Sequence, residues 1–328
     1  MRRYLVAWAV AILAGGLATA CGEDAPGQER AERTIGILRA VRSLEGAENQ
    51  AAFLDELRRA GLVEGRNLRL LGRDLDEVHA DPAEAEAVVR DWARGPLDLV
   101  VALSSSGAMA AARGAPDTNV LFLSNDPTAT GLLRDERAPE GRLTGATFRV
   151  PADRTLELAR RLVPGAGRIG FLYPSEDPSA VPVRAGTLEA ARQLRIDLVD
   201  RAFATAADIA PAFDDLRAEG AAVVMIANAP TSARNFAAIR DAAAAAGLPA
   251  VTNTAADFAL AVLEPDVREL YRQMARQAVR LLEGAPTSAV PVEDPARFRF
   301  ILDLRVAARM GIEVPSALVA SADVVLRP

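Results

Sequence analysis

The chain contains no lysine, so all 38 of its basic residues are arginine. That excludes Schiff-base catalysis and phosphate loops that depend on lysine. It has one histidine, His79, and one cysteine, Cys21. One of each cannot complete a four-ligand zinc site, and a lone cysteine cannot close an internal disulfide. There is no G-x-S-x-G nucleophile motif for His79 to serve, and it reads as a surface residue near a helix start. There is also no basic run, and the formal net charge is -6, which suits no nucleic-acid partner. A literal G-x-G-x-x-G occurs at Gly165, Gly167 and Gly170. It precedes a strand instead of joining a strand to a helix, so it fails as a dinucleotide site. Asp214 and Asp215 fall on the polar face of a helix and read as solvated, not as an acid–base pair. The sequence therefore offers no catalytic residues, no metal site and no cofactor site.

What is present begins with "MRRYLVAWAVAILAGGLATAC". Two arginines, an apolar run and a small-residue stretch make the three-part layout of a secretory signal peptide. The other reading is a short membrane anchor. A spanning helix needs roughly 20 apolar residues, and this run is shorter and broken by Gly15 and Gly16. Residues 1–20 thus read as a signal peptide. Cys21 follows small residues in "LATAC", which resembles a bacterial lipobox with Ala18 where leucine is usual. That makes Cys21 the expected lipidation point. Residues 21–33, "CGEDAPGQERAER", are polar and read as a tether.

The remaining chain, half hydrophobic and a quarter charged, has a globular balance. Short apolar runs alternate with amphipathic stretches. "RTIGIL", "LDLVVAL" and "NVLFLS" read as strands, the latter two buried on both faces. "NQAAFLDELRRAGL" and "DPAEAEAVVRDWARG" read as helices, the second with Asp81 and Pro82 at its start. The rhythm restarts with "DRTLELARRLV", "RIGFLY", "AGTLEAARQL", "IDLVDRAF", "IAPAFDDLRAEG", "AAVVMIAN", "ARNFAAIRDAAAAAG" and "PAVTNT". A long helix, "RELYRQMARQAVRLLEG", and a closing strand and helix follow. This alternation predicts two α/β units with parallel sheets meeting at a cleft.

In such sheets ligands sit beyond the C-terminal ends of strands. The residues there are Arg39 and Ser43; Ser104, Ser105 and Ser106; Asn125 and Asp126; Tyr173; Asn228; and Asn253 and Thr254. The serine run enters a helix, whose free N–H groups suit a carboxylate or phosphate. Hydroxyls, amides, one acid, arginine and a ring together suit a small zwitterionic ligand. The same residue types also cap helices and turns.

Four stretches carry a resemblance to a known family: "ENQAAFLDELRRAGLVEGRNL", "SNDPTATGLLRDERAPEGRLTG", "LARRLVPGAGRIGFLYPSEDPS" and "PVEDPARFRFILDLRVAARMGIEVPSALVASADVVL". Together the chain resembles ABC-transporter substrate-binding proteins of the tryptophan/tyrosine type over roughly residues 34–326. The resemblance implies the type I periplasmic-binding-protein fold, with two doubly wound Rossmann-like lobes joined by a hinge. Lobe 1 would hold residues 34–147 plus about 260–290, and lobe 2 residues 148–259 plus about 291–328. It places Ser104–Ser106 where members bind a ligand's acidic end, and Asp126 on the Asp-Pro motif. Where many members have a glycine-rich segment, this chain has Ala261, Val262 and Leu263, next to the expected hinge or cleft.

The expected protein is a monomeric solute-binding lipoprotein, periplasmic or at the cell surface. It would be anchored through Cys21 and deliver a small polar ligand, an amino acid or similar carboxylate, to an ABC permease. The alternative is a ligand-sensing lipoprotein that presents its bound state to a membrane receptor.

Overall fold

The computed structural model describes residues 32–38, 47–72, 82–163, 167–177 and 179–328. The segment carrying Cys21, and the residues Arg39, Ser43 and His79, lie outside them. The first sheet is built from β1 (Arg33–Leu38), β2 (Leu68–Leu71), β3 (Leu99–Ala102), β4 (Asn119–Ser124) and β5 (Leu143–Thr147). Its helices are α1 (Ala47–Arg59), α2 (Pro82–Trp92) and α3 (Ser105–Gly114). The strands run parallel in the order β2-β1-β3-β4-β5.

The unbroken apolar runs of β3 and β4 exist because this sheet is covered on both faces. Alternate residues serve the two sides. Ile35, Ile37, Leu99, Val101, Leu121 and Leu123 share a core with α1, while Val100, Ala102, Val120 and Phe122 share one with α2 and α3. Gly36 is required on the second side, because a Cβ there would lie 2.5 Å from Cε3 of Trp92.

After α4 (Ala152–Leu162) come β6 (Arg168–Pro174), α5 (Ala180–Leu194), β7 (Leu198–Phe203), α6 (Ile209–Ala218) and β8 (Ala221–Ile226). Then come α7 (Pro230–Arg234), α8 (Phe236–Ala246), β9 (Ala250–Thr252), β10 (Ala259–Pro265) and α9 (Val267–Leu282). The chain closes with β11 (Phe298–Asp303), α10 (Leu304–Met310), α11 (Ser316–Ser321) and β12 (Val324–Leu326). The second sheet has the order β12-β11-β10-β9-β8-β6-β7. Its part β7-β6-β8-β9-β10 repeats the order of the first sheet and is parallel, whereas β11 runs antiparallel to β10.

The passages between the sheets differ from expectation at one place. Residues from about 260 were expected with the first lobe. Ala259–Pro265 instead forms β10, paired on both sides in the second sheet, because its apolar residues complete that sheet's ladder. Ala261, Val262 and Leu263 are thus strand residues, the first two buried. The return to the first sheet starts at Asp266, whose side chain accepts from Glu269 N and caps α9. Leu270, Met274, Ala278 and Leu281 then join the core against α1. The sequence periodicity of α9 anticipates this face.

The chain passes to the second sheet after β5, at residues 148–151, and again after residue 294. Before it leaves, Thr147 N donates to Glu293 O and Glu293 N to Gly145 O. Arg149 then bonds both Glu136 and Asp294. Burial disfavours the Arg149 charge, but those two acceptors outweigh it and raise its pKa above the ordinary arginine value.

Candidate functional site

Both sheets use a doubly wound strand order, so each has a crevice beside its first strand, at β1/β3 and at β6/β8, beyond the C-terminal ends. The serine run lies at the first of these. Ser104 is extended (φ -165°, ψ 161°) and caps α3, its Oγ accepting from Gly107 N at 2.9 Å. The N–H groups of Ser105 and Ser106 are among the orphan donors of a helix start. Ser105 Oγ lies 2.7 Å from Ser124 Oγ, at the end of β4, and Ser106 Oγ lies 3.2 Å from Ser104 Oγ. The strand ends β3 and β4 are thereby tied together.

Asn125 and Asp126 follow directly and are half-buried. Asp126 Oδ1 accepts from Ala129 N at 2.8 Å, and its carbonyl accepts from Thr130 Oγ1, so one carboxylate oxygen serves a turn. Below Leu103, which precedes the serine run, a small apolar pocket is lined by Ile37, Gln50, Phe53, Val101, Leu103, Tyr271 and Met274.

At the second sheet, Asn228, Asn253 and Thr254 come together around a shallow pocket at the ends of β8 and β9, with Ser232 and Phe236 in its wall. Thr254 Oγ1 donates to Asn228 Oδ1 at 3.0 Å. Asn253 is turned inward. Its Nδ2 donates to Thr155 Oγ1 and to Leu263 O, joining α4, β9 and β10.

Tyr173 is placed differently. Its ring stacks on Phe171 at 5.9 Å, and the Arg184 guanidinium lies 5.0 Å from the ring centre. It is not among the residues lining this pocket.

The turn into α7 is held from beneath. Asp177 is 9% exposed. It accepts from Ser179 N and Oγ through Oδ1 and from Thr231 N through Oδ2. Burial pushes the Asp177 carboxyl up, but the Ser179 and Thr231 donors outweigh it and hold it below the usual carboxylate range.

Sequence reasoning missed Ser232, Phe236, Phe53, Tyr271 and Met274. The last three fall on inner helix faces, where periodicity signals only core. Ser232 sits in "NAPTSARN", whose one signal is the proline that starts α7. Among the described residues, no group of three or more His, Cys, Asp and Glu could hold a metal, and no helix is long and apolar enough to cross a membrane.

Two parallel α/β sheets of matching strand order, crossed repeatedly by the chain and carrying polar groups at their strand ends, define a two-lobed small-molecule-binding protein of the type I periplasmic-binding-protein fold. The chain belongs to the ABC transporter substrate binding protein family, which matches residues 35–326. It is therefore a substrate-binding component of an ABC transporter, a solute-binding protein and not an enzyme.

Among its relatives is a tyrosine-binding protein of Clostridioides difficile strain R20291. It is 21% identical over 280 residues, which cover 83% of this chain and 79% of that one. The fold is similar to a ligand-free, open substrate-binding protein with adhesive properties from Clostridium difficile. That structure gives a TM-score of 0.77 at 21% identity, covering 90% of this chain and 99% of the other. It is also similar to an ABC domain from Streptococcus pneumonia in complex with L-Trp. There the TM-score is 0.66 at 21% identity, with coverage of 89% and 100%.

Proposed function

We propose that this protein is an extracytoplasmic receptor that captures an amino acid between the strand ends of its two sheets and delivers it to an ABC permease. The observation that carries the reading is the start of α3. There the Ser104 hydroxyl takes the Gly107 N–H, which leaves the N–H groups of Ser105 and Ser106 for a carboxylate. Asp126 sits at the next strand end with one carboxylate oxygen uncommitted among the described residues. It is the complement for an ammonium group.

The relatives that bind tyrosine and L-Trp support the same ligand class. Asn228 and Thr254 belong to the opposing half of the site. Capture proceeds by closure of the two lobes, and Cys21 attaches the protein to the membrane.

A thermal-shift screen of the purified protein against the twenty amino acids, small carboxylates, purines and sugars tests this. A ligand at a hundredfold excess over Kd stabilises the folded state by about 2.7 kcal/mol. That corresponds to a midpoint rise of several degrees, at about 2–4 °C per kcal/mol. A rise with an amino acid that is weakened in Asp126→Asn supports the reading. A rise only with purines or sugars sinks it. For the anchor, Cys21→Ser releases the protein from the membrane fraction if Cys21 is the attachment point.

A further inference from the structure

Ser232 is 1% exposed, and its Oγ has no hydrogen-bond partner among the described residues. Buried hydroxyls are nearly always paired, and an unpaired one is destabilising. The residue lies in the wall of the pocket at the ends of β8 and β9. It is held firmly there. Thr231, just before it, is fixed through its N–H by Asp177, through its carbonyl by Asn235 Nδ2 and through its hydroxyl by Arg234. These bonds fix the backbone that carries Ser232, and a rigid support is what a recognition group needs.

The surroundings define what it would recognise. Asn228 Oδ1 is engaged by Thr254, which leaves Asn228 Nδ2 as a second unused donor among the described residues. Phe236, braced edge-on against Phe258 at 5.3 Å, and Ala233 add apolar wall. Among the described residues no charged side chain lines the pocket. The groups suited to charge, the α3 N–H donors and Asp126, belong to the first sheet.

We propose that this pocket receives the uncharged, hydrogen-bonding end of the ligand's side chain, a phenolic hydroxyl, indole N–H or carboxamide, and that Ser232 is the specificity-determining residue that bonds it. The proposal rests on the reading of the site as an amino-acid site. It assigns a division of labour: the first sheet holds the charged end and the second reads the side-chain tip.

The test is calorimetric titration of the wild-type protein and Ser232→Ala with L-tyrosine, L-tryptophan and L-glutamine, and with L-phenylalanine and L-leucine as counterparts lacking the group. The wild type should bind at least one of the first three about tenfold or more tighter than its counterpart, the ratio expected when a buried polar group is left unpaired. Ser232→Ala should collapse that ratio by weakening the polar ligand, with the counterpart little changed. Its ligand-free melting temperature should not fall, because the substitution removes an unpaired group. A variant that melts as the wild type and keeps the same ratio overturns the proposal, as does a wild type that binds both members of each pair equally. If the wild type binds none of the five, this assignment falls, while the amino-acid reading stands or falls separately on the thermal-shift screen of all twenty.

Discussion

Arg149 Nη2 donates to Asp294 Oδ1 at 2.9 Å, joining the first passage of the chain between the two sheets to the last. Thr147 Oγ1 donates to the same oxygen at 2.6 Å, and Gln273 of α9 donates to the Asp294 carbonyl at 3.0 Å. The segments that must flex if the lobes close are therefore clasped by one aspartate. Its side chain is 58% exposed and that of Arg149 is 35% exposed. A pair this wet contributes little to stability, on the order of 1 kcal/mol or less.

Asp294→Asn should accordingly change the melting temperature by no more than about 2–4 °C. The effect should appear in the lobe equilibrium instead, as a larger radius of gyration by small-angle scattering in the presence of saturating ligand. Scattering curves that superimpose on the wild type would remove Asp294 from the hinge.

Gly36→Ala should destabilise the first half of the protein by about 1–3 kcal/mol, the usual cost of overpacking. The new methyl would meet Cε3 of Trp92 at 2.5 Å. Beyond residue 21 Trp92 is the only tryptophan, so its emission should shift with the substitution and report the urea midpoint of that half. Adding Trp92→Leu should recover part of the loss. No recovery would mean that the strain lies elsewhere.

Asp177→Asn should lower stability at neutral pH, and the deficit should shrink in acid. The sign follows from the direction of the shift. The folded carboxyl is held below its ordinary value by the Ser179 and Thr231 donors, against the upward push of burial. Its contribution is fully present above the unfolded pKa of about 3.9 and fades as pH falls through the lower folded value. Urea midpoints of wild type and variant at pH 7 and pH 3 check this. A constant difference would exclude Asp177 as the titrating group.

Much of the architecture is legible in the sequence, because buried parallel strands and amphipathic helices leave strong periodic signals. "LDLVVAL", "NVLFLS" and "AAVVMIAN" are such strands, and α9 carries its inner face in plain view. Weaker signals failed. β5, "LTGAT", lacks an apolar run, and it exists because Gly145 allows close approach to Phe122 and Glu293 extends its hydrogen bonding. β12 is three residues held against β11. The strand-end candidates were legible as positions. Their partners were not, so nothing local distinguished the inward-turned Asn253 from Asn228.

The sequence by itself determined the alternation of most strands and helices, the parallel α/β class and the polar groups at the strand ends. Tertiary structure decided which sheet each late segment joins, sending β10 to the second sheet and α9, after one intervening residue, to the first. It also decided that Tyr173 turns to Arg184 while Ser232, in a pocket wall, is left unpaired among the described residues. Periodicity records that a face is buried, but the partner that buries it comes from a distant part of the chain.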